Sequence, residues 1–148
     1  MIPETEWIWY GMPGHFICAQ DCRFHLCTQV GRVLVSTVGA YEPQEGAREI
    51  LAQSRGQVLE GKGDARRYSW FKQNGWEEIG HKRTFETMVF ARDGLKRCGT
   101  PECGCGVPSI IPSELDMEGY TDAGAATSGH LVLCQKWALA SQQEQVNV

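Results

Sequence analysis

The residues with the clearest chemical capacity are thiols in a glycine-rich stretch, Cys98-Gly-Thr-Pro-Glu-Cys103-Gly-Cys105-Gly, followed later by His130 and Cys134. Thiolate and imidazole are ligands that zinc prefers, and tight glycine turns let backbone amides point at thiolate sulfurs. His130 and Cys134 stand four residues apart, so on a helix both project from one side. Cys98, Cys103, Cys105, His130 and Cys134 are therefore the candidate ligands of one structural zinc. The segment 92–112 carries turn residues and thiols but little apolar surface, so its ordering needs an outside source of free energy, which metal ligation supplies. The plainer alternative makes Cys134 a buried helix cysteine and His130 a surface imidazole.

A second group is His15, Cys18, Cys22, His25 and Cys27. On a strand Cys22 and His25 point to opposite faces while His25 and Cys27 share one, so the five cannot all ligate one ion without a bulge. The thiols read as small core residues. Arg23 and His25 share a face and could hold a phosphate or carboxylate, or His25 could act as a general base. The alternative is a cross-strand pair with an acid such as Glu86. An enzyme of phosphate or nucleotide chemistry would use His15, Arg23, His25 and Glu86 as its site. No Walker loop, dinucleotide fingerprint, His-Glu-x-x-His or Gly-x-Ser-x-Gly occurs.

The elements that must position these groups centre on residues 15–39, which read as a hairpin. Folding about Val30-Gly31 would set Leu26 opposite Val35, Phe24 opposite Thr37 and His25 opposite Ser36. Trp7 to Tyr10 suit a short strand or an aromatic plug, with a break at Gly11 to Gly14. Glu45 to Ser54 carries Ala47, Ile50 and Leu51 on one helical face. Residues 60–67 look like an exposed loop, Tyr68, Trp70 and Phe71 like apolar anchors, and Asn74-Gly75 like a turn. Residues 76–79 and 84–90 are strand candidates. The span 122–140 is a helix by composition, capped by Asp122, with His130, Cys134, Trp137 and Ala138 on one face; 141–148 is a polar tail expected to fray.

The predicted fold is α+β: an antiparallel sheet built on the central hairpin, packed by two helices, with a Cys/Gly-rich loop ordered by metal. At 148 residues the chain fits a single domain, 1–148. A formal charge of −4 gives no basic footprint for nucleic acid. No run approaches the roughly 18 apolar residues of a membrane helix. The acidic opening Met-Ile-Pro-Glu-Thr-Glu is unlike a secretory signal, and seven cysteines without one suggest a reducing, cytoplasmic setting rather than a disulfide framework.

Cys98 to Cys134, taken together, resemble a treble-clef zinc finger, although four residues and then one separate the loop cysteines where the usual knuckle has two. More broadly, Pro-Gly-His-Phe-Ile at 13–17, Cys-Arg-Phe-His-Leu at 22–26, Val-Ser-Thr-Val-Gly at 35–39, Glu-Thr-Met-Val-Phe at 86–90 and Cys-Gly-Cys-Gly at 103–106 resemble a family of small proteins of tailed bacteriophages and prophages. The resemblance spans roughly Trp7 to Ala138 and brings no catalytic residue. It implies a bacterial cytoplasm during infection. The expected function is that of a non-catalytic, zinc-stabilised phage accessory protein that binds a host or defence-system protein, in host takeover or anti-defence. A structural virion component is a further alternative.

Overall fold

The structure, a computed structural model, describes residues 5–11, 22–75, 83–97 and 107–146. Five antiparallel strands form one sheet in chain order: β1 (Trp7–Gly11), β2 (Cys22–Val30), β3 (Val33–Tyr41), β4 (Phe85–Arg97) and β5 (Pro108–Tyr120). Between β3 and β4 come two helices, α1 (Glu45–Ser54) and α2 (Asp64–Asn74), and α3 (Ala123–Val146) closes the chain. The α+β class and the antiparallel sheet are as expected; three helices replace two.

The β2–β3 hairpin forms where its β-branched residues predict, with a register two residues away from the expected one. Val30 faces Val33, so the loop is Gly31-Arg32, and Leu26 faces Thr37, Phe24 faces Gly39 and His25 faces Val38. Gly31 adopts φ +58°, which a type II′ hairpin turn needs at its first loop position. A slide of two preserves the side-chain alternation, so the core face is unchanged.

That core face is covered by α3. Val30, Val33, Val35 and Val89 pack against Leu133, Cys134 and Ala138, with Trp137 alongside. The helix begins as expected: the Asp122 carboxylate accepts a hydrogen bond from the Ala125 amide at 2.8 Å, three residues on. It runs on through Val146, past the expected end at Ala140. On the opposite face Cys27, Leu34 and Val107 pack with Tyr10 and Ile110.

Four expectations change. Residues 92–112 are not wholly loop: β4 continues to Arg97 and β5 begins at Pro108. In β5, Leu115 and Met117 alternate with Glu114, Asp116 and Glu118, a period of two, and Pro112 is tolerated because it lies on the sheet's edge strand where the register is irregular. The expected loop over 60–67 gives way at Asp64 to α2, which also carries the anchors Tyr68, Trp70 and Phe71. Asn74-Gly75 ends that helix instead of turning a hairpin, with Gly75 at φ +87° in the left-handed region. Finally, α1 packs on α2 and not on the sheet: Ala52, Leu59, Trp70 and Phe71, with Leu51, form a core of their own. The strand expected at 76–79 lies outside the described residues, as do His15, Cys18, Cys98, Cys103 and Cys105.

Candidate functional site

His130 sits where α3 crosses the sheet, 2% exposed. Its Nε2 lies 2.8 Å from Thr28 Oγ1 and its Nδ1 lies 2.7 Å from Thr37 Oγ1, which in turn is 2.6 Å from Thr87 Oγ1. Thr37 and Thr87 face each other across β3 and β4. A neutral imidazole fits this chain of hydroxyls: one ring nitrogen accepts, the other donates, and each threonine can both donate and accept. Trp9 meets the ring edge-on, centroids 6.5 Å apart. Burial without an acid partner lowers the His130 pKa to about 4, so the ring is neutral at pH 7.

Both ring nitrogens are thus engaged by threonine hydroxyls. Cys134, one turn further along α3, is fully buried against the valines, and burial pushes its thiol up to about 11. Its neighbours are those of a core cysteine. Among the described residues no three His, Cys, Asp or Glu side chains form a metal-sized group. The three loop thiols of the expected zinc site lie outside those residues.

Of the other expected site, the described residues are Arg23, His25 and Glu86. Arg23 and His25 do share a strand face, but His25, Val38 and Glu86 form one row across β2, β3 and β4. Two strand spacings, about 10 Å, separate His25 from Glu86 at the backbone. Arg23 lies 3.8 Å from Glu42, just after β3.

Glu42 gathers two further guanidiniums. Arg67 of α2 forms a two-pronged ion pair with it, Nη2 to Oε2 at 3.0 Å, and Arg48 of α1 stands 3.9 Å away while donating Nη1 to the Pro43 carbonyl at 2.9 Å. The Arg67 hydrogen bond is the main reason that the Glu42 carboxyl is held below the usual carboxylate range. The sequence does not signal the meeting of Glu42, Arg48 and Arg67, because it depends on α2, whose first turn reads as part of an exposed loop.

A different kind of site lies where β1 meets α3. Trp7 and Trp9 are paired with Val30 and Thr28, so they project on the face that α3 covers, and they remain 43% and 58% exposed. Leu131, Val132 and Leu139 stand exposed on α3, the helix that covers the same face, and Val132 and Leu139 point away from its buried residues. Lys136 is the one charged residue from 123 to 141, and it is paired with Asp116 on the β5 side. That long interval without charge was the sequence signal for this surface. No helix among the described residues is long and apolar enough to cross a membrane.

Comparison with protein-family profiles, curated proteins and solved structures finds no match.

Proposed function

We propose that this protein is a non-catalytic binding module that acts by contacting a host or defence-system protein in an infected bacterial cytoplasm. The biological setting rests on the resemblance to small phage and prophage proteins. The binding reading rests on the apolar surface of Trp7, Trp9, Leu131, Val132 and Leu139. Isolated exposed apolar residues are ordinary, but two half-exposed tryptophans on β1 and three exposed aliphatics on α3, the helix over the same sheet face, amount to more apolar surface than isolated residues explain. Tryptophan supplies a large share of binding energy where it is desolvated by a partner. The best-placed histidine, meanwhile, is committed to a structural hydrogen-bond chain.

Zinc belongs to this proposal as the element that orders the loop of Cys98, Cys103 and Cys105. Ligation by His130 would require it to give up Thr28 or Thr37, and ligation by Cys134 would require a thiolate in an apolar setting.

The test compares the wild type with a Trp9→Ser, Leu131→Ser, Leu139→Ser triple variant of unchanged melting temperature. Each is used to capture proteins from bacterial lysate, and any captured protein is purified and titrated directly. A discrete partner bound by the wild type and lost by the variant supports the reading. Equal binding by both would overturn it.

A further inference from the structure

The sheet ends in two edge strands, β1 and β5, and among the described residues neither has a strand on its outer side. Main-chain amides and carbonyls left open along such an edge are a template for pairing with another chain. The register of β1 shows which of its groups stand open. Gly31 donates its amide to the Glu6 carbonyl, so Glu6 and Gly31 are a hydrogen-bonded pair, and the pairs that follow alternate: Trp7 with Val30 unbonded, Ile8 with Gln29 bonded, Trp9 with Thr28 unbonded. A strand residue that makes no bond to one neighbour directs its N–H and C=O to the other side. Trp7 and Trp9 thus aim their main-chain donors and acceptors away from β2.

The two edges differ in what they can accept. β5 carries Glu114, Asp116 and Glu118, and the Asp116 carboxylate already takes the Met117 amide at 2.9 Å. Antiparallel pairing of two β5 strands centred on Asp116 would set Glu114 of one against Glu118 of the other, and like charges directly opposite destabilise a ladder. β1 has no charge from Trp7 to Gly11. Centred on Ile8, two copies of it match residue for residue: Trp7 of each falls opposite Trp9 of the other, Ile8 opposite Ile8, and Glu6 opposite Tyr10. The open groups of Trp7 and Trp9 then face each other, so each such pair exchanges two hydrogen bonds. Their indoles stand on one face, where aromatic cross-strand neighbours attract. The bulge in β1 lies beyond Trp9, outside the bonded stretch.

We propose that this protein forms a two-fold dimer in which β1 pairs antiparallel with β1 of a second copy about Ile8. The axis stands perpendicular to the sheet, so two five-stranded sheets become one and both α3 helices lie on the same face, with the two tryptophans of each copy between them. The dimer needs no host protein and does not rest on the binding proposed above.

Sedimentation equilibrium of the purified full chain over a wide range of concentration tests it. The mass is expected to rise from 16.5 kDa to twice that value. Trp7→Pro removes an outward amide and spares the bonds to β2, as proline on an edge allows, so it should hold the protein monomeric. Ile8→Lys and Ile8→Glu each set like charges together at the axis; each alone should stay monomeric, and the two mixed in equal amounts should dimerise. Melting curves show which variants are folded. Trp7→Pro and the Ile8 variants act on different groups, so either decides if the other does not fold. A dimer with no host protein captured supports this proposal and counts against the other reading alone. A monomer at every concentration, assembly beyond two copies, folded Trp7→Pro or single Ile8 variants that dimerise as tightly as the parent, or mixed Ile8 variants that fail to associate would each overturn it.

Discussion

The ring of Phe85 occupies the space that a side chain on Gly39 would need: a Cβ there would stand 2.0 Å from Phe85 Cδ1. The two residues face each other across β3 and β4, and Phe24, facing Gly39 from β2, meets the Phe85 ring edge-on at 5.1 Å. The missing side chain thus lets two aromatic rings from strands on either side of β3 make contact. Gly39→Ala is expected to push Phe85 off Phe24 and to destabilise the protein by about 1 to 3 kcal/mol, as overpacking does. Chemical denaturation measures this, and a variant as stable as the parent would contradict it.

Val35 is fully buried at the centre of the cluster under α3, with Val30, Val89 and Leu133 among its companions. Val35→Asp places a carboxylate there with no cation in that cluster. The expected loss is about 3 to 5 kcal/mol, enough to abolish a cooperative melt in a marginally stable domain. A melt like the parent's would show that β3 is not the buried strand.

His130 makes stability depend on pH in a defined direction. Its folded pKa of about 4 lies below the ordinary 6.5, so the unfolded chain takes up the proton first as pH falls. Stability is therefore complete above about pH 6.5 and declines down to about pH 4, where it levels, by about 3 kcal/mol. The depressed carboxyls of Glu42 and Asp116 add their own loss as pH falls through their ordinary values of 4.5 and 3.8, where the unfolded chain takes up the proton first. Denaturation midpoints from pH 7 to 4.5 should fall for the parent and much less for His130→Asn. A flat profile for the parent would refute the argument.

Metal content separates the roles of the thiols and the histidine. Protein purified without chelator should carry zinc, Cys103→Ser should lose it, and His130→Asn should keep it. Elemental analysis decides. Zinc absent from the parent would reduce Cys98, Cys103 and Cys105 to ordinary thiols, whereas zinc lost in His130→Asn would mean that the histidine leaves its threonines to ligate.

Much of the sheet was readable because alternation survives without tertiary context: Phe24, Leu26 and Thr28 against Arg23, His25 and Cys27 gave β2, and Asp122 gave the start of α3. The hairpin register was not readable, because Val30-Gly31 and Gly31-Arg32 are both credible two-residue loops and only packing chooses between them. β5 was hidden by Pro112 and by its neighbouring glycines and cysteines, although Glu114 to Glu118 alternate plainly. α2 was hidden by Asp64, Arg66 and Arg67, which look solvated until Trp70 and Phe71 are seen to bury against Ala52 and Leu59. Losing α2 also lost the arginine junction. The His130 and Cys134 face was found correctly, but its surroundings, threonine hydroxyls on three different strands, follow from the sheet's register and not from local spacing.

The private core of α1 and α2 has a consequence for how the molecule opens. Ala52, Leu59, Trp70 and Phe71 share no apolar cluster with the sheet among the described residues, and Glu42 joins Arg67 of the pair to Arg23 of β2. Regions stabilised by separate cores exchange their amide protons as separate cooperative units. The helical pair can thus unlatch while β2, β3, β4 and α3 stay closed, so amides of α1 and α2 should lose protection together, well before those of β3. Because the latch is made of charge, added salt should hasten that partial opening while hardly touching the exchange of the strands.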